Sequence, residues 1–309
     1  MNTASDISVI IPLYNKASSI ERTVRSVLGQ RVQPREIIVV DDGSTDGSAD
    51  IVRRIASPLV RLITQENRGV SAARNRAMAE ATGRWVALLD GDDVWEEEYL
   101  QQVERMIASY PDCGAYGVGF WVESDGRRTR GNVPQEEGVV DFFLHSMTRY
   151  VLIPSATTLD RELALSLGGF PEGMRMGEDQ YLWTKVARAS RVAFSPKAVA
   201  VYSRTAENRS VAIYRAEQTA YSLEDLYDAE ASAISNEYVA RVALGKALVE
   251  SVRGGTAEAR RAVEFFSYNT MSHRLERKVR VLNALPRAWR PTIYRMYNWL
   301  AWTIARRGL

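Results

Sequence analysis

Apolar and polar positions follow two alternating rhythms along the first third of the chain. Continuous apolar runs at 7–12 (ISVIIP), 36–41 (EIIVVD), 60–65 (VRLITQ) and 84–90 (RWVALLD) have the length and β-branched content of buried strands. Between them the spacing stretches to the helical period. Ile20, Val24, Val27 and Leu28 share one face of a helix near 18–29, and another helix is expected over 70–82, ended by Gly83. DGSTDGS is loop chemistry in which Ser44, Thr45 or Asp46 can cap a short helix running to about Ile55. Such strands, apolar throughout and joined by helices, predict an α/β fold with a mostly parallel sheet covered on both faces. From 113 to 204 the order is less regular. AYGVGFWVE (115–123) reads as a strand, SDGR (124–127) as a turn, Asp179 to Ala189 as a helix, and RVAFSP and AVAVYSR as two further strands. From about 214 the pattern is helical, with breaks at Gly254-Gly255, Pro286 and Pro291. The expected division is a body over 1–213, in halves of about 1–110 and 111–213, and a helical extension over 214–309.

Composition adds limits. With 309 residues, 46% hydrophobic and 25% charged, the chain can bury a large core without staples. A single cysteine, Cys113, excludes an intrachain disulfide, and with two histidines, His145 and His273, it excludes the usual zinc sites. No basic segment precedes the first apolar run, and no apolar stretch reaches about 18 residues, so the expectation is a cytoplasmic protein without leader or spanning helix. The net charge of +2 is unevenly placed. Residues 1–250 carry 28 Lys and Arg against 35 Asp and Glu, a net −7; residues 251–309 carry 12 against 3, a net +9. An acidic body with a basic tail suggests two tasks.

The candidate chemistry collects where strands end, which is where open α/β sheets bind ligands. The first strand ends in PLYN (12–15), the second in DDGSTD (41–46) and the fourth in DGDD (90–93). Any one of these is commonly a turn; three at one sheet edge are not. Asp90, Asp92 and Asp93 would repel one another, and a divalent cation would relieve that repulsion. Magnesium-type sites use one or two carboxylates and complete their shell with phosphates and water, so the cluster points to a metal-bound phosphate ligand. No G-x-G-x-x-G follows the first strand and no G-x-x-x-x-G-K-[ST] occurs, which sets aside dinucleotide and P-loop sites. A carboxylate ending strand two can accept from a base N–H while Tyr14 stacks on the base, which describes a nucleoside diphosphate site.

The segments SVIIPLYNKASSIERTVRSVLGQ, EIIVVDDGSTDGS, NRGVSAARNRAMAEATGRWVALLDGDD and GGFPEGMRMGEDQYLW resemble, in order and spacing, a family 2 glycosyltransferase of the GT-A fold. The resemblance covers about 6–210. It implies that Pro12 and Tyr14 line the nucleobase, that Asp41 reads it, and that Asp46 is a second acid near the nucleoside. It implies an Asp-x-Asp motif in which Asp90 approaches the ribose and Asp92 binds the metal, Mn²⁺ or Mg²⁺. Asp93 either assists the motif or, the favoured reading, caps the following helix. Gly69, Arg74 and Asn75 match the segment that covers the nucleotide pocket, with a structural ion pair inside its helix the equal alternative for Arg74. Asp179 matches the catalytic base, Glu178 supports the acceptor side, and Arg204 is a candidate for the diphosphate.

The implied reaction moves one sugar, with inversion, from a nucleoside diphosphate, UDP foremost, to a hydroxyl of a glycan or lipid-linked acceptor. A non-catalytic sugar-nucleotide-binding protein on the same fold is the alternative, weakened by Asp41, Asp90, Asp92 and Asp179 all being in place. The Q-x-x-R-W pattern of processive synthases is absent. Nucleic acid is not an expected partner, since the body is acidic and carries no known binding motif. From Thr292 to Arg307, Ile293, Met296, Tyr297, Leu300 and Ile304 share one helical face, opposite Arg295, Asn298, Trp302 and Arg306. Such a helix packs on the body or on a second copy of the chain, or lies at the inner face of the membrane beside a lipid-linked acceptor.

Overall fold

A computed structural model describes residues 5–204 and 219–296. In chain order the first part runs β1 (Ile7–Leu13), α1 (Ile20–Leu28), β2 (Glu36–Asp42), α2 (Ser48–Arg53), β3 (Val60–Gln65), α3 (Val70–Glu80), β4 (Trp85–Leu88), β5 (Val94–Trp95) and α4 (Tyr99–Ser109). It continues with β6 (Cys113–Ser124), β7 (Arg127–Arg130), β8 (Gly138–Val140), α5 (Phe142–Ser146), β9 (Thr157–Asp160), α6 (Arg161–Ser166), α7 (Glu178–Ala189) and β10 (Arg191–Ser203). Then follow α8 (Ala233–Arg253), α9 (Thr256–Phe265) and α10 (His273–Ala284). The chain separates into two compact units, Met1–Tyr221 and Ser222–Leu309, where the sequence suggested a division at 213/214.

The first unit is built on one sheet in the order β3-β2-β1-β4-β9-β6-β10-β5, with β7 on β6 and β8 on β10. Strands β3, β2, β1 and β4 are all parallel, as their unbroken apolar runs predict. Beyond β4 the sheet is mixed: β6 and β10 run parallel, while β9 lies antiparallel to both β4 and β6. The four-residue β9 (TTLD) is too short to carry a readable period. The turn expected at SDGR joins β6 to β7, with Asp125 and Gly126 both at positive φ. The two strands expected after α7 are one, β10. Its register on β6 slips between Ser195 and Ala198, around Pro196, which has no N–H for the ladder. A proline there makes a bulge within a strand rather than a turn between two.

Three loops are carried to the carboxyl edge of this sheet. Leu13 pairs with Asp41 and Asp42 with Gln65, so the ends of β1, β2 and β3 lie level. Helix α3 packs on β1 and β2 through Ala72, Ala73 and Ala77, whose small side chains let its backbone lie close to the strands. In the second unit α8, α9 and α10 enclose Leu244, Leu248, Val263, Val279 and Leu282. Of the amphipathic run expected from Thr292, Ile293 packs against that core and Met296 is exposed. The remainder, with Tyr297, Leu300, Trp302, Ile304, Arg306 and Arg307, lies outside the described residues. Among the described residues no helix is long and apolar enough to cross a membrane.

Candidate active site

Strand β1 delivers Pro12, Tyr14, Asn15 and Lys16 to the sheet edge, and hydrogen bonds tie them to the loop after β2. The Asn15 N–H donates to Ser44 Oγ at 3.0 Å, and Asn15 Oδ1 accepts from the Thr45 N–H at 2.8 Å. The Lys16 N–H donates to Ser48 Oγ at 2.8 Å. Pro12 is half-buried, and Tyr14 is 42% exposed just beyond the end of β1. Asp41 is buried, with Oδ1 accepting the Ser44 N–H at 3.1 Å. Neither Ser44, Thr45 nor Asp46 occupies the helix cap expected of them. Gly47 holds that position with φ 87, a left-handed conformation suited to glycine. Asp46 instead joins the two loops, accepting from the Ala17 N–H at 2.9 Å and from the Ser48 N–H and hydroxyl.

Asp42, which the sequence gave no reason to single out from Asp41, fixes the start of α3. Its Oδ2 accepts the Gly69 N–H at 2.7 Å and its Oδ1 the Arg68 N–H at 2.9 Å. Gly69 precedes the helix at φ 91. Five and six residues further on, Arg74 and Asn75 reach the second half of the unit. Asn75 grips the backbone of Phe170 in both directions: Nδ2 donates to its carbonyl and Oδ1 accepts its N–H, each at 2.8 Å. Arg74 is 3% exposed and lies over the Phe170 ring, 5.1 Å from its centroid. Its guanidinium donates to Asp90 Oδ1 at 2.7 Å and to Glu178 Oε1 at 3.4 Å. Arg74 and Asn75 therefore join the first half of the unit to the segment that carries Glu178 and Asp179.

The three carboxylates of DGDD point to three different partners. Asp90 meets Arg74, and Asp92 Oδ2 meets Lys16 Nζ at 2.7 Å. Asp93 is buried and does not cap the following helix. It accepts the Ser203 N–H at 2.8 Å and the Ser155 hydroxyl. Ser155 Oγ also accepts the Asp90 N–H at 3.1 Å, so the buried serine ties the motif to the second half. The repulsion expected among these acids is thus partly met by protein groups. What remains is visible in their acidity. Burial first, then the neighbouring carboxylates, raises Asp93 well above the usual range; burial and Asp90 raise Asp92, against the opposing pull of Lys16. Among the described residues no group of three or more His, Cys, Asp or Glu side chains is placed to hold a metal alone. Asp92 beside Asp90, both partly accessible, nonetheless matches the hard-oxygen set that Mg²⁺ or Mn²⁺ shares with phosphate and water.

Helix α7 begins at Glu178, after Gly177 at φ 90. Asp179 lies in its first turn, its carboxylate accepting the Gln180 N–H at 2.9 Å and the Gln180 side-chain amide at 3.1 Å. Burial, then the adjacent Glu178, pushes its pKa up to about 7, while Arg74 opposes the rise. A carboxyl poised there can take a proton from a hydroxyl near neutral pH. Arg204 follows β10 with its N–H on the Glu123 carbonyl at 2.8 Å and its side chain exposed; the residues from 205 to 218 lie outside those described. Lys16, Asp42 and Ser155 are the site residues that sequence reasoning missed. Lys16 had one signal, a lysine directly after PLYN at a strand end. Ser155 had none, because only the folded chain brings it beneath Asp90.

The family model for Glycosyl transferase family 2 matches residues 8–184. The putative teichuronic acid biosynthesis glycosyltransferase TuaG of Bacillus subtilis is 45% identical over 105 residues, covering 33% of this chain and 42% of that protein. The chain spans 31–42% of the length of the first curated relatives it matches. Among solved structures, residues 1–349 of S. aureus TarS in complex with UDP-GlcNAc match with a TM-score of 0.67 at 21% identity, covering 94% of this chain and 91% of that one. The mannosyltransferase PcManGT from Pyrobaculum calidifontis, in complex with GDP-Man and Mn²⁺, matches with a TM-score of 0.54 at 20% identity, covering 91% and 87%. At such identities the two structures establish the GT-A fold.

Proposed function

Since the chain belongs to glycosyl transferase family 2, we propose that it transfers one sugar, with inversion, from a nucleoside diphosphate sugar to a hydroxyl of a glycan or lipid-linked saccharide. The observation that carries this reading is the Arg74 bridge. It joins Asp90, in the carboxylate pair suited to a donor diphosphate, to Glu178 beside a carboxyl poised near neutral pH. In-line displacement needs a base and a leaving group on opposite sides of one carbon, and the two halves of the unit supply one each.

In this reading Asp41 accepts from the nucleobase, with Pro12 and Tyr14 forming the wall beside it. Asp46 and Gly69 shape the two loops that frame it, through the Ala17 and Asp42 hydrogen bonds. Asp92, with Asp90, holds a divalent cation, Mn²⁺ or Mg²⁺, which offsets the charge that develops on the leaving diphosphate. Asp179 takes the acceptor proton, and Glu178 keeps Arg74 in place beside it. Arg204 is the candidate for a further diphosphate contact. UDP is the nucleotide of choice by the family's usage, and a cell-envelope or secreted polysaccharide is the product class in keeping with TuaG's name. The basic C-terminal unit is the part suited to meet an anionic membrane face carrying a lipid-linked acceptor, or a second copy of the chain.

The test is a panel of nucleotide sugars incubated with the full chain and Mn²⁺ or Mg²⁺, read by release of nucleoside diphosphate. Release from one donor that stops on chelation supports the reading. Tight nucleotide binding without release from any donor, with glycan acceptors present, would support a sugar-nucleotide-binding protein instead.

A further inference from the structure

Strand β9 is antiparallel to both β4 and β6, so β6 points the same way as β1 and β4 and ends at the sheet edge that carries the carboxylates. There β6 outruns β9, whose last pairing with it is at Gly117, and turns into β7 through Asp125 and Gly126. β10 rises beside it, and the Ser203 N–H on Asp93 pins its end to the DGDD loop. The register across β10, β6 and β7 sets Ser203, Glu123 and Arg128 in one row. The Arg204 N–H on the Glu123 carbonyl continues that register, so the next row is Arg204, Ser124 and Arg127. Successive rows face opposite sides of a sheet. In the first row the charges neutralise one another: Arg128 meets Glu96 at 2.7 Å and Glu123 at 3.0 Å, and Glu123 also meets Arg22 at 3.4 Å. In the second row Arg204 and Arg127 are exposed, and neither side chain has a partner among the described residues. Most arginines of this acidic unit instead lie against carboxylates. Two bare guanidiniums on one row, about 10 Å apart at their backbones across two strand spacings, make a local positive patch beside the motif. A guanidinium presents paired N–H groups that match the oxygens of a phosphate or a carboxylate.

We propose that this row is a subsite for an anionic acceptor, a glycan whose units carry phosphate or carboxylate groups, with Arg127 holding one such group while a nearby hydroxyl is brought to the carboxyl edge. This rests on the transfer reaction proposed above. Arg204, at the inner end of the row next to Ser203, stays the candidate for the donor. Arg127 lies two strands further from Asp93, so it answers to the acceptor alone. The anionic group adds specificity as well as affinity, because a neutral glycan leaves the patch without its counter-charge.

The experiment follows binding of fluorescently labelled oligomers to the full chain by anisotropy, with UDP and Mn²⁺ present, at low and high salt. The probes are an oligogalacturonate, which carries carboxylates, an oligo(glycerol phosphate), which carries phosphodiesters, and a neutral dextran oligosaccharide of similar length. Wild type is expected to bind at least one charged oligomer about tenfold or more tightly than dextran, with the advantage lost at high salt. The charged oligomer that binds more tightly identifies the group. Arg127→Gln should weaken that binding about fivefold and Arg127→Glu further, while Arg127→Lys keeps most of it. UDP with Mn²⁺ should bind these variants as it binds wild type. Dextran bound as tightly as both charged oligomers, no oligomer bound at all, or wild-type binding by Arg127→Glu overturns the subsite while leaving the donor site standing. Donor affinity lost in Arg127→Gln gives the row to the donor and overturns it too. Absence of UDP binding by wild type in the presence of Mn²⁺ removes the donor site itself, and this subsite with it.

Discussion

A carboxyl held near pH 7 can serve as a base only after losing its proton. At low substrate concentration turnover should therefore rise with pH through about 7 and level off above it, a limb that belongs to Asp179. The same shift has a stability cost of definite sign. From the ordinary value of 3.8 up to about 7, the unfolded chain has released this proton and the folded chain has kept it. Stability from this group is therefore unaffected at low pH and falls as pH rises through that window. Asp179→Asn removes the titration, so it should raise the melting temperature at pH 8 and change it little at pH 4. Thermal unfolding at the two pH values checks this; equal shifts at both would place the effect in packing rather than charge. Asp92 is raised for similar reasons, and it is the residue through which metal dependence should run. Asp92→Asn should remove most of the Mn²⁺-dependent part of UDP affinity, as should chelation of the wild type. Calorimetry with and without Mn²⁺ reads both, and an unchanged metal dependence in the variant would move the metal away from Asp92.

The elements that carry these residues meet through backbone contacts. Asn75, on α3, holds the Phe170 N–H and carbonyl, and Gly169 stands beside it at φ 66, where an added Cβ would lie 2.5 Å from Asn75 Oδ1. Asn75→Ala leaves two backbone groups without partners and should cost about 1–3 kcal/mol in urea unfolding. Because this clamp positions the segment before α7 rather than the nucleotide loops, the variant should lose turnover while keeping donor affinity. Lost donor affinity with intact turnover would return Asn75 to the pocket cover that the resemblance implied. The first four strands were legible because their apolar runs are continuous, and β1, β2 and β4 are buried almost throughout, while β3 at the edge of the sheet alternates half-buried and exposed positions. The later half was harder to read. β9 and β8 are too short for a period to register, and Pro196 looks in sequence like the end of a strand that in fact continues through a bulge. Within the site, Asp41, Asp90, Asp92 and Asp179 stood out by motif. Their partners did not. The pairing of Arg74 with Glu178, or of Ser155 with Asp93, joins residues far apart in the chain that only the fold brings together.

At the scale of the molecule, the basic excess belongs to the end of the helical unit, while that unit's first part, residues 222–250, is acidic like the sheet unit. The sheet unit is acidic, and the net +9 of residues 251–309 lies wholly within the helical unit. If that unit meets a membrane, the full chain should sediment with anionic vesicles at low salt, lose them at high salt, and fail to bind when ended near Ala284. Binding that survives the truncation would place the contact elsewhere. The account as a whole depends on two halves of one unit performing separate tasks, donor binding in the first and proton removal in the second. The most direct measurement of that separation is made on Asp179→Asn once a donor is known, pairing the affinity for UDP with Mn²⁺ and the rate of sugar transfer. The account predicts wild-type affinity and transfer slowed by about 10²-fold or more. Transfer at the wild-type rate, or donor affinity lost together with transfer, would contradict it.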